Sequence, residues 1–107
     1  MLDAFAGSGA LSFEALSRGA TAAHLFERDR AALAALEGNV RALGLSANVA
    51  RVHRRDVLKN PPISARPPFD LVFLDPPYAF EAADVLGMVA QLAAAGALAD
   101  DALVVYE

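Results

Sequence analysis

The chain has 107 residues, which suits at most one domain, and 56% of them are apolar, so most of the protein must be core. It contains no cysteine, which excludes disulfides and cysteine-ligated metals. No apolar run nears the roughly 20 residues that span a bilayer, so we expect a soluble, cytoplasmic protein with no membrane partner. The formal net charge of −4 argues against a broad surface for phosphate backbones.

Apolar runs and helix-capping signals alternate along the chain, which predicts strands alternating with helices. In chain order we expect strand 1–3, helix 8–18, strand 22–27, helix 29–43, strand 48–52, strand 69–74, helix 81–94 and strand 102–106. Ser8 and Asp29 are the predicted caps of the first two helices, and Gly19 and Gly44 are their predicted stops. The predicted buried faces of the second and third helices consist of Leu33, Leu36, Val40, Leu43, Val85, Val89 and Leu92.

Strands separated by helices of this length indicate an α/β fold. We expect a Rossmann-like, doubly wound and mostly parallel sheet with strand order 3-2-1-4-5 and helices on both faces. Ligands of such sheets bind beyond the carboxyl ends of the strands, where the winding direction reverses. Asp3, Glu27 and Asp75 each fall at the carboxyl end of a predicted strand, so the sequence predicts that these three carboxylates line one crevice.

The stretch Asp3-Ala4-Phe5-Ala6-Gly7-Ser8-Gly9 must turn sharply from the first strand into the first helix. Its two glycines permit backbone angles that other residues avoid, and they let a ligand approach the main chain closely. Amides at the start of a helix favour a negatively charged group. Ser12 stands where a dinucleotide fingerprint has its third glycine, and the Gly-Lys-Ser/Thr of a phosphate-binding loop is absent. We predict that a nucleotide-like cofactor is bound by Phe5, Ala6, Gly7, Ser8 and Gly9.

Acidic residues elsewhere complete the predicted cofactor site. Glu27, at the end of the second strand, is placed to accept both ribose hydroxyls. Asp3 is predicted to accept from the cofactor's amino group or from loop amides, and Asp56 from an adenine amino group. Arg28 and Val57, which follow Glu27 and Asp56 in the chain, are included in the same predicted site.

The motif Asp75-Pro76-Pro77-Tyr78 follows the fourth predicted strand and indicates the chemistry. The exocyclic amine of a base is a poor nucleophile, because its lone pair is delocalised into the ring. The carboxylate of Asp75, and a main-chain carbonyl held rigid by two prolines, can accept hydrogen bonds from that amine and direct its lone pair toward a methyl donor. Tyr78 offers a face on which a base can stack, which is worth about 1–3 kcal/mol. We predict an N-methyltransferase that uses S-adenosylmethionine, with catalytic roles for Asp75, Pro76, Pro77 and Tyr78.

Three further polar groups are predicted to play no part in catalysis. His24 and His53 have no ligand-spaced partner, so we predict a core or surface histidine in each case and no metal site. Asn39 is expected to pack or bond locally on the second helix. The basic residues of this region are interpreted as part of a solvated strand edge and loop; they are Arg51, His53, Arg54, Arg55 and Lys59.

Together these segments resemble the RsmD-type methyltransferases, which modify the exocyclic amine (N2) of a guanine in bacterial 16S ribosomal RNA. The resemblance covers nearly the whole chain and rests on Leu2-Asp3-Ala4-Phe5-Ala6-Gly7-Ser8-Gly9-Ala10-Leu11, Glu14-Ala15-Leu16-Ser17-Arg18-Gly19-Ala20, Phe26-Glu27-Arg28-Asp29 and Phe73-Leu74-Asp75-Pro76-Pro77-Tyr78. It implies that S-adenosylmethionine, with S-adenosylhomocysteine as product, is held by Gly7, Gly9, Glu27 and Asp56. It also implies that the guanine is positioned by Asp75, Pro76 and Tyr78.

The resemblance further implies partners and chain organisation. The substrate would be ribosomal RNA or the small ribosomal subunit, and the protein would be a monomer. Members of the family begin with a basic segment that helps bind RNA and end with further strands that close a seven-stranded sheet. Residues 1–107 are therefore expected to form a single S-adenosylmethionine-dependent catalytic domain, truncated at both ends, with the RNA-binding surface in segments outside it.

Three alternatives stay open from the sequence. A methyltransferase of the same fold could act on adenine in DNA or RNA, or on a protein glutamine, although glutamine-directed enzymes usually carry Asn in place of Asp75. A nicotinamide-binding oxidoreductase would need a glycine at Ser12 and has no use for the Pro-Pro-Tyr run. A non-catalytic fragment could bind a cofactor or a partner protein.

Overall fold

The structure is a computed structural model that describes residues 1–77 and 81–107. Tyr78, predicted to stack on a base, lies outside the described residues. Within them, strands and helices alternate as the sequence predicts. In chain order the elements are β1 Leu2–Asp3, α1 Ala10–Ser17, β2 Ala23–Phe26, α2 Arg30–Ala42, β3 Ala50–His53, β4 Phe69–Leu74, α3 Ala82–Ala94 and β5 Leu98–Tyr106. No helix in this part of the chain is long and apolar enough to cross a bilayer.

The five strands form one parallel sheet in the order β3-β2-β1-β4-β5, which confirms the predicted doubly wound topology. The short strand β1 lies at the centre, where Leu2 pairs with His24 of β2 on one side and with Val72 of β4 on the other. The order reverses direction between β1 and β4. The carboxyl ends of these strands therefore form the edge at which a ligand site is expected.

Helices cover both faces of the sheet, as the sequence predicts. On one face, α3 packs against the central strands in a core cluster that includes Leu2, Phe26, Val72, Leu74, Val85, Met88 and Leu92. On the other face, α1 and α2 pack against a second cluster that includes Met1, Ala23, Leu25, Leu36 and Ala50, with Phe13 and Leu16 partly buried beside it. Replacing one of the fully buried leucines by alanine would cost about 2–5 kcal/mol.

The N-cap of the first helix lies one residue later than predicted. Gly9 occupies the N-cap of α1 with φ 91°, and no side chain caps the helix there. A serine cap normally requires an extended backbone, and the left-handed turn at this position favours glycine instead. Ser8 is exposed, so the predicted serine cap is wrong. The cap of α2 is confirmed, because the side chain of Asp29 accepts from the amide of Ala32 at 2.9 Å.

Other predicted boundaries and buried positions differ from those in the structure. The third strand begins at Ala50 rather than residue 48, because Val49 donates its amide to Ser46 in a turn. The fifth strand begins four residues before 102 and contains two exposed aspartates, which an edge strand tolerates. Leu43 lies at the C-cap of α2 and is 57% exposed, so its predicted burial is wrong. In α3, Met88 is buried and Val89 only partly so.

Candidate active site

A cavity of about 820 Å³ opens at the carboxyl ends of the first four strands. Its lining comes from the loop between β1 and α1, the first turn of α1, and the segments that follow β2, β3 and β4. These residues are Ala4, Phe5, Ala6, Gly7, Ser8, Ala10, Leu11, Phe26, Glu27, Arg28, Asp29, Arg30, Arg55, Asp56, Val57, Asp75, Pro76 and Pro77. Eleven residues of the predicted site are among them, whereas Asp3 and Gly9 are not.

The loop of residues 4–9, called the glycine loop below, is braced from two sides. The amide of Ala6 donates to the carbonyl of Phe26 at 2.9 Å, which ties the loop to the end of β2. The side-chain amide of Asn39, on α2, donates to the carbonyl of Ser8 at 3.0 Å. The expectation of a local role for Asn39 is therefore wrong. The sequence did contain a signal for this contact: Asn39 follows the buried Leu36 by three residues and so lies on the same face of α2.

Gly9 does not line the cavity but allows close packing behind the glycine loop. It is buried, its φ of 91° is left-handed, and a Cβ placed on it would lie 2.6 Å from both Leu36 Cδ1 and Phe13 Cε2. Gly7 differs, since a Cβ there would meet no atom within 4 Å and the residue lines the cavity. Gly7 therefore leaves room for a ligand at the cavity wall, and Gly9 lets α1 pack closely against α2.

The carboxylate of Glu27 is held by three backbone amides. Gly7 donates to Oε1 at 2.9 Å, while Asp29 and Arg28 donate to Oε2 at 2.9 and 3.1 Å. Each carboxylate oxygen has two lone pairs, so Glu27 keeps acceptor capacity for a ligand after making these bonds. It joins the glycine loop to the start of α2 and faces the cavity at the same time.

Asp56 is fixed in a similar way after β3. Its Oδ1 accepts from the amide of Leu58 at 2.9 Å, and its Oδ2 pairs with Arg28 Nη1 at 3.2 Å. Val57, next in the chain, is buried and lines the cavity. The predicted residues Arg28, Asp56 and Val57 thus lie together on one wall.

Asp3 lies behind the glycine loop, with only 1% of its surface exposed. Its Oδ2 accepts from the hydroxyl of Ser12 at 2.8 Å, and its Oδ1 has no hydrogen-bond partner among the described residues. The structure therefore corrects the expected arrangement, because Glu27 and Asp75 share the cavity and Asp3 does not line it. The cause is its position on the central strand, where its side chain meets the first turn of α1. Sequence reasoning missed Ser12 as its partner, and the signal was a polar residue on the buried face of that helix.

Burial raises the pKa of Asp3 to about 6. Hydrogen bonds from the Ser12 hydroxyl and the Phe5 amide lower this pKa, and the negative charges of Asp75 and Glu27 raise it. The last two effects show that the three carboxylates lie close enough to interact. Near neutral pH, Asp3 is mostly ionised, and its buried charge is stabilised by these hydrogen-bond donors.

We expect Ser12→Ala to lower the free energy of unfolding by about 2–3 kcal/mol at neutral pH, because it removes the hydroxyl that donates to Oδ2 of this buried, charged carboxylate. The loss should shrink as the pH falls. The folded-state pKa of Asp3, about 6, lies above the ordinary 3.8, so protonation of Asp3 stabilises the folded state. This stabilisation by protonation is complete below pH 3.8 and disappears as the pH rises through 6. Urea denaturation at a series of pH values measures both effects.

Ser17→Ala is the matched control, since its exposed hydroxyl donates to the Glu14 carbonyl at 2.8 Å and its loss should cost less than about 0.5 kcal/mol at any pH. Burial lowers the pKa of His24 to about 4, which acts in the opposite direction as the pH falls below 6.5. His24 is present in parent and variant alike, so their difference isolates Asp3. A loss independent of pH would contradict the assignment of Asp3 as the affected group.

The residue before the Asp75-Pro76-Pro77 motif is held in the sheet. The carbonyl of Leu74 accepts from the amide of Glu107 at 2.9 Å, so the sheet ladder continues up to the residue before Asp75. Asp75 is exposed, and Asp75, Pro76 and Pro77 line the cavity. A substrate can therefore reach this carboxylate from solvent, and the partly exposed Glu27 lines the same cavity.

The two histidines form a pair that the sequence did not indicate. His24 Nδ1 and His53 Nε2 lie 2.9 Å apart, and burial lowers the pKa of both rings. One ring nitrogen must donate and the other accept, so the bond requires at least one neutral imidazole. In residues 1–77 and 81–107, no three or more His, Cys, Asp or Glu side chains are grouped to hold a metal ion.

Known proteins are similar to this chain in sequence and in fold. The family model described as conserved hypothetical protein 95 matches residues 1–107. Ribosomal RNA small subunit methyltransferase D of Haemophilus influenzae is 44% identical over 86 residues, which are 78% of this chain and 44% of that protein. The protein of the same name from Escherichia coli strain K12 is 41% identical over 106 residues, 99% of this chain and 51% of its own length. A solved structure of a conserved hypothetical protein from Streptococcus pyogenes superposes with a TM-score of 0.80 at 36% identity, covering 96% of this chain and 62% of that one.

The chain thus spans about half the length of the curated relatives it matches. Within that span, the strand order and the placement of the motifs agree with the fold predicted from the sequence. The family match extends over all 107 residues. This match and these relatives confirm the resemblance drawn from the motifs: the chain belongs to the RsmD-type family, described as conserved hypothetical protein 95.

Proposed function

We propose that residues 1–107 form a catalytic domain of an S-adenosylmethionine-dependent methyltransferase that acts on the exocyclic amine (N2) of a guanine in 16S ribosomal RNA. The observation that carries the proposal is the shared cavity, in which Glu27 and Asp75 lie on either side of the glycine loop. The names of the Haemophilus and Escherichia relatives support ribosomal RNA as the substrate class.

The residues present fit S-adenosylmethionine. A cavity of about 820 Å³ lies within the range of about 300–1,000 Å³ that holds drug-sized ligands. We propose that Glu27 accepts from the ribose hydroxyls, that Asp56 accepts from the adenine amino group, and that the glycine loop receives the amino-acid end. Phe5 and Val57 provide apolar surface on the same walls. When bound there, S-adenosylmethionine supplies an electrophilic methyl group.

Asp75 and the prolines after it would prepare the amine. The carboxylate can accept a hydrogen bond from the exocyclic amine and so concentrate the nitrogen lone pair, and it can take the proton that the nitrogen must lose after gaining a methyl group. Pro76 and Pro77 fix φ, so the acceptors need little reorganisation during the reaction. We propose that Tyr78 stacks on the guanine and holds it in line.

Two measurements test the proposal. Calorimetry with S-adenosylhomocysteine and, separately, with NAD identifies the cofactor class, and we expect binding of the first alone. Transfer of a labelled methyl group from S-adenosylmethionine to 16S ribosomal RNA, to DNA and to protein then identifies the substrate class. Binding of NAD without S-adenosylhomocysteine would refute the methyltransferase assignment, and labelling of DNA or protein in place of RNA would refute the substrate.

Glu27→Gln should weaken S-adenosylhomocysteine binding by about tenfold or more and lower the free energy of unfolding by about 1–3 kcal/mol. The glutamine would present an NH₂ group where Glu27 accepts from the amides of Gly7 or Asp29, so donors would face each other. Calorimetry and urea denaturation measure the two effects.

Glu14→Gln provides the control, because Glu14 is an exposed partner of Arg18 on the outer side of α1 and should leave both quantities unchanged. A Glu27→Gln variant that bound the cofactor as tightly as the parent would remove Glu27 from the proposed ribose contact.

A further inference from the structure

Charge is distributed very unevenly along this acidic chain. Residues 28–59 contain seven of the nine lysines and arginines but only three of the thirteen aspartates and glutamates. Residues 60–107 contain one basic and seven acidic residues. A net charge of −4 therefore conceals a segment of +4, obtained as seven positive less three negative charges, beside a segment of −6, obtained as one less seven.

The sheet order turns this sequence asymmetry into a spatial one. The basic segment includes α2 and β3, and β3 lies at one edge of the sheet. The acidic segment includes β4, α3 and β5, and β5 lies at the opposite edge. The molecule is thus positively charged on the α2–β3 side of the cavity and negatively charged on the β4–β5 side. A polyanion is attracted to the first side and repelled from the second.

A groove on the positive side continues directly from the cavity. It encloses about 490 Å³ and is lined by four arginines, one carboxylate and two apolar residues: Arg28, Arg30, Arg41, Arg54, Glu37, Leu33 and Ala34. Arg28 and Arg30 line both the groove and the cavity. Arg30 and Arg41 lie 11 positions apart on α2, which places them about 16 Å apart along the helix.

Three arginines of the groove, Arg30, Arg41 and Arg54, are exposed to solvent. Arg54 has a side chain that is 75% exposed, and its contact with Glu37 is 3.4 Å long. A surface ion pair of this kind is worth at most about 1 kcal/mol, so a phosphate can displace or share it. Arg30 and Arg41 are exposed as well. Guanidinium groups match phosphate oxygens with two parallel hydrogen bonds, which makes arginine the favoured residue for a phosphate track.

We propose that the RNA substrate lays its phosphate backbone along this α2 groove, with Arg30, Arg41 and Arg54 as phosphate contacts. The inference rests on the proposed function for the nature of the substrate. It replaces the interpretation of Arg54 as part of a solvated strand edge, and it adds an RNA contact within residues 1–107 to the surface that the resemblance places outside them. It also gives the substrate a direction of approach, from the β3 edge across the α2 groove toward Asp75.

The double variant Arg41→Gln/Arg54→Gln tests the groove, because neither residue lines the cavity. The probe is a short fluorescein-labelled RNA stem-loop, titrated at several salt concentrations. Each lost phosphate contact should reduce the slope of log K against log salt by about 0.7, so two contacts weaken RNA binding by about 10–30-fold near 0.1 M salt. Affinity for S-adenosylhomocysteine should not change. Glu37→Gln should act in the opposite direction and tighten RNA binding, since it removes the one carboxylate of the groove.

Arg18→Gln is the control, because it removes one exposed positive charge at the end of α1, outside the groove. It should alter neither the RNA affinity nor its salt slope appreciably. If the parent binds the stem-loop and S-adenosylhomocysteine but the double variant keeps the parent's affinity and slope, the groove is refuted and the proposed function stands. If the parent binds S-adenosylhomocysteine but neither binds nor methylates RNA, the proposed substrate falls, and the groove falls with it.

Discussion

Asp75→Ala should reduce methyl transfer to 16S ribosomal RNA by about 10³-fold or more while changing the affinity for S-adenosylhomocysteine only a few-fold. Removing a general base or one preorganised electrostatic partner typically costs about 10²–10⁴-fold in rate. In this site both roles are assigned to one carboxylate. Asp75 makes none of the bonds that hold Glu27, Asp56 or the glycine loop, so the cofactor-binding walls should keep their shape.

Single-turnover transfer of a labelled methyl group separates the chemical step from binding, and calorimetry measures the cofactor. Asp75→Asn refines the result, because the amide keeps one acceptor oxygen but cannot take the proton that the amine must lose. We expect it to retain more activity than the alanine variant and far less than the parent. Asp100→Ala is the control, since Asp100 is an exposed aspartate in the first half of β5, outside the cavity. Undiminished turnover in Asp75→Ala would mean that the chemistry takes place elsewhere.

The fold could be predicted from the sequence because its determinants are local. Strand β4 is apolar apart from Asp70 and lies between prolines, and its predicted bounds match the structure at both ends. Asp29 caps α2 through a bond to Ala32, three residues away, so the signal and its partner lie in one short window. Alternation of such elements then restricts the sheet to a few topologies, because crossovers are right-handed and ligand loops gather at one edge.

The support of the site could not be predicted, because its contacts join residues far apart in the chain. Asn39 reaches the carbonyl of Ser8 across 31 positions, and His24 meets His53 across 29. No periodicity encodes such pairs, since they depend on which strands become neighbours and on the side to which each side chain points. Asp3 illustrates the same limit: the end of β1 was predicted correctly, but only the packing of α1 decides that its carboxylate faces Ser12 and not the cavity.

Gly9→Ala should destabilise the protein by about 2–5 kcal/mol and abolish measurable binding of S-adenosylhomocysteine. The left-handed backbone at φ 91° costs a residue with a Cβ about 1–2 kcal/mol. The new Cβ would also lie 2.6 Å from Leu36 Cδ1, and Leu36 is fully buried, so α1 and α2 must move apart at a further cost of about 1–3 kcal/mol. Because the glycine loop and the Asn39 bond span these two helices, their separation distorts the proposed cofactor site.

Two other glycines show whether that effect belongs to this position. Gly7→Ala places a Cβ with no atom within 4 Å at φ 57°, so it should cost only about 1 kcal/mol of stability, yet it intrudes on the cavity wall and should weaken cofactor binding. Gly87→Ala lies within α3 with no atom within 4 Å and should stabilise the protein by about 0.5–1 kcal/mol. Thermal unfolding resolves these differences, since 1 kcal/mol shifts the midpoint by about 4–8 °C in a domain of this size. A Gly9→Ala variant as stable as Gly87→Ala would show that α1 and α2 do not rely on close approach at Gly9.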